Sequence, residues 1–433
     1  MAIATAPTQQ ATAATRTAYD VLQERGLVYQ CSDETGLRRK LAQGGVSFYL
    51  GIDPTADSLH IGHLVGVMTM ARLQQCGLRP VALVGGGTTM IGDPTDKTAA
   101  RRIMSRDEIA ANAQAIKGQL ARFLDFSETA EQPEGRAVMV DNAEWLLALN
   151  YIEFLRDYGK YFSVNDMLRM ETYRSRLETG LTFIEFNYAL LQAYDFLELY
   201  RRHGCTLQIG GSDQWSNVLA GADLIKKCEG AEAYALTWPL VSDSSGQKMG
   251  KSSATGQVWL DPRRTSPYDY YQYWINVDDS QVERMLMTYT FLPTEEVRAL
   301  SSIAGEQLRV AKERLAWEAT TLAHGEDEAR KAQSAARRLF GGATLEELAS
   351  AEDVPTVEID RARFAGEGVQ IVDLMVEAGL AESKGAARRL IEGGGAYLNK
   401  ERLALRAVTE ADLVDGALML QAGKKRYVRV VAR

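Results

Sequence analysis

The alternation of apolar and polar residues near the start of the chain predicts a βαβ unit. Two short apolar runs, "VSFYL" at 46–50 and "VALV" at 81–84, have the β-branched and aromatic character of buried strands. Between them, apolar residues recur at close to helical spacing at Leu64, Val67, Met68, Ala71 and Leu73. Gly77 predicts the end of this helix. Such a unit indicates an α/β fold with a parallel sheet, whose ligands bind beyond the carboxyl ends of its strands.

Polar, glycine-rich segments separate the predicted elements. The segment "GIDPTADSLHIGHL" (51–64) follows the first predicted strand, and "GGGTTMIGDPTDKTAARR" (85–102) follows the second. Residues 140–235 are mainly helical in pattern, apart from a predicted loop, "QIGGSDQWSN", at 208–217. A further polar segment, "SSGQKMGKSSATG", lies at 244–256. Most of the candidate chemistry of the chain lies in these segments.

The last part of the chain has a different pattern and a different charge. Apolar residues recur at helical spacing from about 266 to 342, and "ASAEDVPTVEID" at 349–360 has the proline and acidic residues of a linker. Residues 366–433 hold eleven Lys and Arg against nine Asp and Glu residues, whereas the full chain has a formal net charge of −8. Within this segment Ser383 predicts a helix start and Gly393 predicts its end, before a strand.

Composition narrows the class of protein. A chain of 433 residues, 46% apolar and 24% charged, is long enough for roughly two to four globular domains. The negative net charge excludes a uniformly basic nucleic-acid-binding protein, so a nucleic-acid partner requires a local basic patch. Lys384 and Arg388 lie four residues apart on a predicted helix and offer such a patch, although a charged helix face is most often simply solvated.

The cysteines and the start of the chain bear on its compartment. The four cysteines have no short paired spacing, which predicts neither a zinc site nor a disulfide framework and is typical of a reducing compartment. No apolar run approaches the length of about 20 residues that crosses a bilayer. The first fifteen residues have no charge and lack the pattern of a secretory signal. We expect residues 1–20 to be a disordered tail on a cytoplasmic protein.

Two of the four histidines, His60 and His63, lie at the predicted start of the first helix. A metal site would need a third ligand, which neither an HExxH motif nor a cysteine pair supplies. A helix cap explains only one polar residue, whereas the N–H groups of a helix start attract phosphate, to which neutral imidazole can donate. Lys248 and Lys251 in "KMGKS" have the charge to neutralise a departing pyrophosphate, or are solvated lysines of an exposed loop.

The motifs "HIGH" at 60–63 and "KMGKS" at 248–252 resemble the two signatures of class I aminoacyl-tRNA synthetases. The blocks "FYLGIDPTADSLHIGHL", "ALVGGGTTMIGDPT", "FNYALLQAYDFLELY" and "QIGGSDQWSN" resemble those of bacterial-type tyrosyl-tRNA synthetases, in the same order, so the resemblance covers nearly the entire chain. It implies that residues 21–262 form a Rossmann-like parallel-sheet catalytic domain, which has a helical insertion and contains the lysine loop 244–256. An α-helical anticodon-side domain is then expected at 263–345, a linker at 346–365, and a small α+β, S-four-like RNA-binding domain at 366–433.

The resemblance assigns a tyrosine pocket to Tyr49, Asp93, Tyr188, Gln192, Asp195 and Gln208. Tyr49 and Asp195 match residues that bind the phenolic hydroxyl of the substrate, and Asp93, Tyr188 and Gln192 match residues that hold its ammonium group. The spacing of Tyr188, Gln192 and Asp195 puts all three on one helix face, so a single helix reaches both ends of the ligand. An ordinary amphipathic helix is the alternative, but its inward face would be unusually polar.

The residues that match the ATP site are Gly51, Asp53, His60, His63, Gly211, Asp213, Gln214 and Lys251. Asp213 matches a residue that binds the ribose hydroxyls, and Thr55 and His60 match contacts to the outer phosphates. The resemblance gives a catalytic role to Thr55, His60, His63, Lys248 and Lys251. Lys97 and Arg101 match basic residues that assist the departing pyrophosphate.

The reaction implied by the resemblance joins tyrosine to its transfer RNA in two steps. ATP, with Mg²⁺ on its phosphates, activates the tyrosine carboxylate as tyrosyl-adenylate, and the terminal ribose of the transfer RNA then takes the tyrosyl group. No tightly bound metal or organic cofactor, no DNA and no membrane is implied, and the family is homodimeric. The residues assigned to RNA contacts are Lys226, Lys227, Lys384, Arg388 and Arg389, with "KKR" at 424–426.

Two departures from the family pattern and two rival hypotheses stay open. Gly250 replaces the central serine usual in the lysine motif, and Leu50 replaces a cysteine that touches the ribose in many relatives, which predicts slightly weaker nucleotide binding. A tryptophan-specific class I synthetase has the same fold and signatures, but Tyr49, Asp195 and the RNA-binding tail argue against it. A non-catalytic RNA-binding or splicing cofactor predicts decayed motifs, whereas both histidines and both lysines are intact.

Overall fold

The structure is a computed structural model, and it describes residues 16–93, 104–127, 135–177, 180–241, 251–252, 256–302, 305, 308–340, 354–423 and 426–433. The chain divides into two compact units. The first unit comprises Met1–Lys251 and Glu283–Ala299, and the second comprises Ser252–Val282 and Leu300–Arg433. In the described ranges, no helix combines the length and the apolar character needed to cross a membrane.

A six-stranded sheet forms the centre of the first unit. Its strands are β1 (Gln30–Cys31), β2 (Ser47–Ile52), β3 (Arg79–Val84), β4 (Val138–Asp141), β5 (Cys205–Gly211) and β6 (Tyr234–Trp238). They lie in the order β1-β6-β5-β2-β3-β4, all parallel except β1, which pairs antiparallel with β6 at the edge. The two apolar runs predicted as strands are β2 and β3, and nearly all of their residues are buried, as in a parallel sheet.

The direction in which strands are added to the sheet reverses at β2. From β2 the chain continues to β3 and β4 on one side, and it returns to β5 and β6 on the other. In an open parallel sheet, ligands bind in the crevice beside such a reversal, at the carboxyl ends of the strands. Tyr49 of β2 and Gln208 of β5 are register partners across this point. Asp53 and Asp213 follow the same two strands, so the topology brings these distant parts of the sequence together.

Ten helices with described bounds lie between residues 16 and 230 of the first unit: α1 (Ala18–Glu24), α2 (Glu34–Gln43), α3 (Ile61–Gln75), α4 (Arg106–Leu120), α5 (Ala143–Leu146), α6 (Tyr151–Asp157), α7 (Val164–Arg169), α8 (Glu171–Leu177), α9 (Phe183–His203) and α10 (Trp215–Glu229). The predicted first helix is α3, and Gly77 follows it with a φ of 84°, a left-handed conformation that favours glycine. Thr182 caps the start of α9, and Gly204 ends it in the left-handed conformation. The predicted helix end at Gly77 and both ends of α9 therefore follow ordinary capping rules.

Helices also fill most of the described chain from 251 to 340. This part has the short strands β7 (Lys251–Ser252) and β8 (Gly256–Gln257) and the helices α11 (Pro267–Ile275), α12 (Val282–Tyr289), α13 (Thr294–Ser301), α14 (Leu308–His324) and α15 (Glu326–Phe340). In the second unit α11 packs against α14 and α15. The predicted apolar stripe of α14 includes Leu308, Ala311, Leu315 and Ala319, which are all buried. The helical prediction for this part of the chain is confirmed.

Two arginines form hydrogen bonds to residues 283–299, the second segment of the first unit. The buried guanidinium of Arg72, on α3, donates to the carbonyl oxygens of Met287 at 3.0 Å and Thr290 at 2.6 Å. Arg25 donates to the same two oxygens, at 2.9 and 3.2 Å. Cations at the carbonyl end of a helix are favourable, and here they satisfy carbonyl groups that the last turn of α12 leaves unpaired.

The end of the second unit has a sheet and a core of its own. Its elements are β9 (Thr356–Ile359), β10 (Val369–Gln370), α16 (Ile371–Glu377), α17 (Lys384–Glu392), β11 (Ala396–Leu398), β12 (Glu401–Arg402), β13 (Ala407–Val408), β14 (Ala417–Ala422) and β15 (Arg426–Ala432). Five strands form a sheet in the order β12-β11-β14-β15-β9. Its buried apolar cluster runs from Ile359 to Val430. Ser383 caps α17 and Gly393 ends it before β11, as predicted.

Three predictions about the ends of segments differ from the structure. The tail predicted for residues 1–20 ends earlier, because Thr17 caps a helix that buries Tyr19; residues 1–15 lie outside the described part. The predicted loop at 208–217 begins with the last four residues of the central strand β5, Gln208, Ile209, Gly210 and Gly211, which are all buried. The linker predicted for 346–365 includes β9, which pairs in parallel with β15; alternating exposed polar residues on this edge strand gave it the appearance of a linker.

Candidate active site

A buried carboxylate lies at the centre of the polar residues beside β2. Asp195, on α9, accepts hydrogen bonds from Asn142 Nδ2 at 2.9 Å and from Trp145 Nε1 at 2.8 Å. Burial raises the pKa of Asp195 to about 8; the two hydrogen bonds lower it, and the charges of Asp53 and Asp141 raise it further. The carboxyl group is thus held in a fixed orientation by two donors and is easily protonated near neutral pH.

The hydroxyl of Tyr49 has no hydrogen-bond partner among the described residues, although it is fully buried. Its ring packs on Phe196 with centroids 5.1 Å apart, and burial, followed by the charge of Asp195, raises its pKa well above the ordinary value. Gln208, its register partner, also has a buried side-chain oxygen without a partner in the described chain. Buried polar atoms of this kind each cost about 1–3 kcal/mol, which a polar ligand group can offset.

Asp53 links β2 to α9 at the end of the strand. It accepts hydrogen bonds from the Thr88 hydroxyl at 2.8 Å and the Tyr188 hydroxyl at 3.1 Å. Asn142 Nδ2 also donates to Thr88 Oγ1, at 3.0 Å, and so connects this group to Asp195. Gly85 must be glycine here, because a Cβ on it would lie 2.0 Å from Asp53 Oδ1. Tyr188 therefore contacts a residue assigned to the ATP site, as well as lying on the helix assigned to tyrosine.

A second hydrogen-bonded group joins residues from three parts of the chain. Gln214 Nε2 donates to Asp93 Oδ2 at 2.9 Å. Asn217 Nδ2 donates to Gln192 Oε1 and to Gln214 Oε1, both at 3.2 Å. Burial, followed by the charge of Asp93, raises the pKa of the neighbouring Asp213. Neighbouring carboxylates such as Asp93 and Asp213 suit a cationic ligand group, since an ammonium group would relieve their mutual repulsion.

His60 and His63 form a reciprocal cap at the start of α3. The Gly62 N–H donates to His60 Nδ1 at 3.0 Å, and the His60 N–H donates to His63 Nδ1 at 3.2 Å. The rings lie 3.8 Å apart. The expectation that capping explains only one of the histidines is therefore wrong. Because both Nδ1 atoms accept, each neutral ring carries its proton on Nε2, which is the atom that can donate to a phosphate oxygen.

The chain around this helix start gives a ligand close access to the backbone. Gly51 is exposed, and a Cβ on it would have no neighbour within 4 Å, so packing within the protein does not require glycine there. Thr55 is exposed beyond β2. Gly211 is different, because a Cβ on it would lie 2.6 Å from Asp213 Oδ1. Leu50 packs on α3, where its Cδ2 atom would lie 2.8 Å from a Cβ on Gly66.

Two known families match consecutive parts of the chain. Residues 41–341 match the family described as tRNA synthetases class I (W and Y), and residues 345–430 match the tyrosine–tRNA ligase SYY-like C-terminal domain. The tyrosine–tRNA ligase of Caldanaerobacter subterraneus subsp. tengcongensis is 48% identical over 417 residues, covering 96% of this chain and 99% of that protein. The chain belongs to the tyrosine–tRNA ligase family.

Further members of the tyrosine–tRNA ligase family agree. The ligase of Clostridium botulinum strain Hall is 50% identical over 415 residues, which is 95% of this chain and 98% of that protein. The crystal structure of a C-terminally truncated mitochondrial tyrosyl-tRNA synthetase from Aspergillus nidulans aligns with a TM-score of 0.66 and 32% identity, over 75% of this chain and 94% of that one. The resemblance inferred from the motifs is confirmed, and with it the class I synthetase fold.

Several residues assigned from the family pattern have no described side chain. Lys97, Arg101, Lys248 and Gly250 lie outside the described residues, as do residues 424 and 425 of the "KKR" segment. Lys251 begins the short strand β7, but its side chain is not among those described. The structure therefore places the histidine half of the two ligase signatures and leaves the lysine half as a prediction.

Apart from the "KKR" segment, the residues assigned to RNA contacts lie on two helices, α10 and α17. Lys226 and Lys227 are exposed in the last turn of α10, where Lys227 Nζ donates to the Tyr161 carbonyl at 3.1 Å. Lys384 pairs with Asp373 at 2.8 Å, on α17 and α16. Arg388 and Arg389 are exposed on α17. Both sets lie on exposed helix ends or faces, where the described contacts leave their basic character accessible to solvent.

Three residues that contact Asp195 or Asp53 are not among the site residues expected from the sequence of this ligase. Asn142 and Trp145 hold Asp195, and Thr88 connects Asn142 to Asp53. The available signal was the position of Asn142 directly after β4, because polar residues at the carboxyl ends of parallel strands are candidates for a ligand site. Trp145 gave no such signal, since a buried tryptophan is ordinarily a core residue.

Proposed function

We propose that the chain selects L-tyrosine through Tyr49 and Asp195, activates it with ATP, and transfers it to transfer RNA. The observation that carries this proposal is the buried Tyr49 hydroxyl, which has no partner among the described residues, in the electrostatic range of the Asp195 carboxyl. A phenolic hydroxyl between them would donate to a carboxyl oxygen of Asp195 and accept from Tyr49. Both polar groups would then be satisfied inside a buried site, as stable burial requires.

The opposite end of the amino acid is assigned to residues on and beside α9. Asp93 supplies negative charge for the substrate ammonium group, and Tyr188 and Gln192 supply hydrogen-bonding atoms on the same helix as Asp195. A ligand held at both ends by one rigid helix keeps its carboxylate in a fixed position. That position favours in-line attack on the α-phosphate of ATP, because orientation contributes much of the rate of such steps.

The ATP triphosphate is assigned to the start of α3. Its backbone N–H groups and the Nε2–H atoms of His60 and His63 stabilise the charge that grows on the leaving pyrophosphate. We assign Mg²⁺ to the ATP as part of the substrate, held mainly by phosphate oxygens and water. Asp213 is assigned to the ribose, and Lys248 and Lys251, with Lys97 and Arg101, to the pyrophosphate.

Transfer RNA is assigned to two surfaces of the chain. Lys226 and Lys227 are proposed to meet its acceptor arm, and residues 354–433, with Arg388 and Arg389 exposed on α17, to bind it through shape and phosphate contacts. All four cysteines are free thiols, which is typical of a reducing compartment. We propose the cytoplasm, where transfer RNA is charged, as the place of this reaction.

Tyrosine alone is expected to support ATP–pyrophosphate exchange when the twenty amino acids are tested in turn. Phenylalanine leaves the buried Tyr49 hydroxyl unpaired and lacks the hydroxyl that would donate to Asp195, which lowers its kcat/KM by at least about 10³-fold. Labelled pyrophosphate incorporated into ATP is the measurement. Exchange with tryptophan instead would support a tryptophan-specific synthetase, and no exchange with any amino acid would support the non-catalytic rival.

A second copy of the chain is proposed to cover an apolar surface formed by residues between 147 and 184. Of the eleven large apolar side chains that are exposed in the described chain, eight lie between residues 147 and 184: Leu147, Tyr151, Ile152, Leu155, Val164, Leu177, Phe183 and Ile184. Exposed apolar residues concentrated in one short stretch mark an interface rather than a solvated surface. A two-fold dimer buries such a patch against itself, without a second complementary surface.

Replacing Ile152 and Phe183 together by aspartate is expected to give a monomer. These side chains are 70% and 69% exposed, so the double variant keeps the fold of the subunit. A two-fold interface contains each aspartate twice, and buried unpaired carboxylates raise the dissociation constant by at least about 10³-fold. Sedimentation equilibrium measures the mass. Val310→Asp, at a side chain that is 58% exposed on α14, is the control and stays dimeric; a dimeric double variant would contradict this assignment.

A further inference from the structure

The indole of Trp145 is in contact with two polar groups of α9. Its Nε1–H donates to Asp195 Oδ1 at 2.8 Å. The guanidinium carbon of Arg202 lies over the indole, 5.2 Å from the ring centroid. This distance is within the range of a cation–π interaction, in which the positive charge is attracted to the electron-rich face of the ring. Arg202 thus contacts Asp195 indirectly, through a ring that has a charge on its face and a donor at its edge.

Glu198 fixes the guanidinium of Arg202 in this position. Arg202 Nε donates to Glu198 Oε2 at 2.8 Å, and the neighbouring Arg201 donates to the other carboxylate oxygen at 3.2 Å. Glu198 is buried, whereas Arg202 is exposed. Asp195, Glu198 and Arg202 are at positions i, i+3 and i+7 of α9, which lie on one face of a helix. A single face of α9 therefore carries both Asp195 and Arg202, the cation that lies over Trp145. Trp145 in turn donates a hydrogen bond to Asp195.

We propose that Arg202 is a positioning residue for tyrosine recognition, because its guanidinium holds the Trp145 indole in the orientation from which Nε1–H donates to Asp195. The inference rests on the proposed role of Asp195 in binding the substrate hydroxyl. A cation over the ring limits its rotation about the side-chain bonds and draws electron density towards the face, which strengthens the N–H donor at the edge. Without the cation, Asp195 is held firmly by Asn142 alone, and its acceptor geometry towards the ligand is less fixed.

The experiment compares steady-state pyrophosphate exchange by the full-length wild type and the Arg202→Gln and Arg202→Lys variants. In Arg202→Gln the KM for tyrosine rises about three- to tenfold, while kcat and the KM for ATP stay within about twofold. The preference for tyrosine over phenylalanine falls by the same factor. Arg202→Lys restores most of the affinity for tyrosine, because an ammonium group also interacts with an indole face. If Arg202 acted only through the packing of its side chain, lysine would restore the affinity no better than glutamine.

Arg201→Gln is the matched control. Arg201 is adjacent, is exposed and also donates to Glu198, but its guanidinium lies over Tyr158 instead of Trp145. Its KM for tyrosine is expected to equal that of the wild type. Melting temperatures within about 2 °C of the wild type verify that all three variants are folded.

Each outcome decides a different question. An unchanged KM for tyrosine in Arg202→Gln, or an equal rise in Arg201→Gln, overturns the role of Arg202 and leaves the proposed function intact. A wild-type chain without tyrosine-dependent exchange overturns the proposed function, and this inference with it. A rise confined to Arg202→Gln and reversed in Arg202→Lys supports the inference.

Discussion

An Asp195→Ala variant is expected to activate tyrosine at least about 10³-fold less efficiently than the wild type, measured as kcat/KM for tyrosine in pyrophosphate exchange. The substitution leaves Asn142 Nδ2 and Trp145 Nε1 without their acceptor, and it removes the proposed acceptor of the substrate hydroxyl. Each buried unpaired donor costs about 1–3 kcal/mol, and a 10³-fold loss corresponds to about 4 kcal/mol. A variant with wild-type kcat/KM would remove Asp195 from the substrate site.

Tyr49→Phe separates recognition from folding in the same pocket. The variant loses one hydroxyl that has no partner among the described residues, so the free energy of unfolding is expected to rise by about 1 kcal/mol. The same change removes a hydrogen bond to the substrate and lowers kcat/KM for tyrosine about tenfold. Opposite signs for stability and activity distinguish a recognition group from a core residue. A loss of both would contradict the assignment of Tyr49.

The pH dependence of stability tests the burial of Asp195 without an activity assay. Its native pKa of about 8 is above the ordinary value of 3.8, so between these pH values the native chain binds more protons than the unfolded chain. The contribution of Asp195 to the free energy of unfolding therefore falls as pH rises, by up to about 1.4 kcal/mol per unit. Asp195→Asn lacks this slope. The unfolding free energy of the wild type minus that of Asp195→Asn is expected to fall from about pH 5 to pH 8. A difference that does not change with pH would contradict the raised pKa.

The sequence predicts the parts of this site that depend on local periodicity. The strands β2 and β3 and the helix α3 follow from short apolar runs and helical spacing, because both patterns report burial directly. The placement of His60 beyond a central strand follows from the rule for parallel sheets. The spacing of Tyr188, Gln192 and Asp195 likewise predicts one helix face, and all three lie on α9.

The contacts that orient the polar groups could not be predicted in this way. Asn142 reaches Asp195 across 53 residues, and Trp145 reaches it across 50. Such pairs arise only when β4 and α9 are placed beside each other, and no local pattern encodes their distance. The reciprocal capping by His60 and His63 was missed for a similar reason, since histidine is not among the common cap residues.

The sequence did not predict the strand β9, because it lies at the edge of its sheet and most of its residues are not fully buried. Thr356 and Glu358 are exposed, and Ile359 is buried in the sheet where β9 pairs with β15. Polar residues and a preceding proline gave this segment the composition of a linker. Only the pairing partner, about seventy residues later in the chain, distinguishes it from one. This difference changes where the chain can be divided.

Truncation after Phe340 is expected to abolish charging of transfer RNA and to preserve tyrosine activation. Among the described residues, the apolar cluster around Tyr49 ends at Ile225, and the terminal cluster begins at Ile359, so the deletion removes one complete core and leaves the other. Losing the basic helix α17 removes the proposed phosphate contacts, which is expected to lower kcat/KM for transfer RNA by at least about 10²-fold. Pyrophosphate exchange is expected to stay within about threefold of the wild type.

Truncation after Ala365 is the comparison that tests the revised boundary. This chain retains β9 but lacks β15, its parallel partner, and it exposes Ile359 and Phe364 from the terminal core. An unpaired strand edge with exposed apolar residues promotes aggregation. The shorter chain ending at Phe340 is therefore expected to remain soluble at concentrations where the longer one precipitates. Equal solubility of the two chains would mean that 346–365 is a linker, as the sequence predicted. Loss of pyrophosphate exchange in a folded chain ending at Phe340 would mean that tyrosine activation depends on the terminal residues.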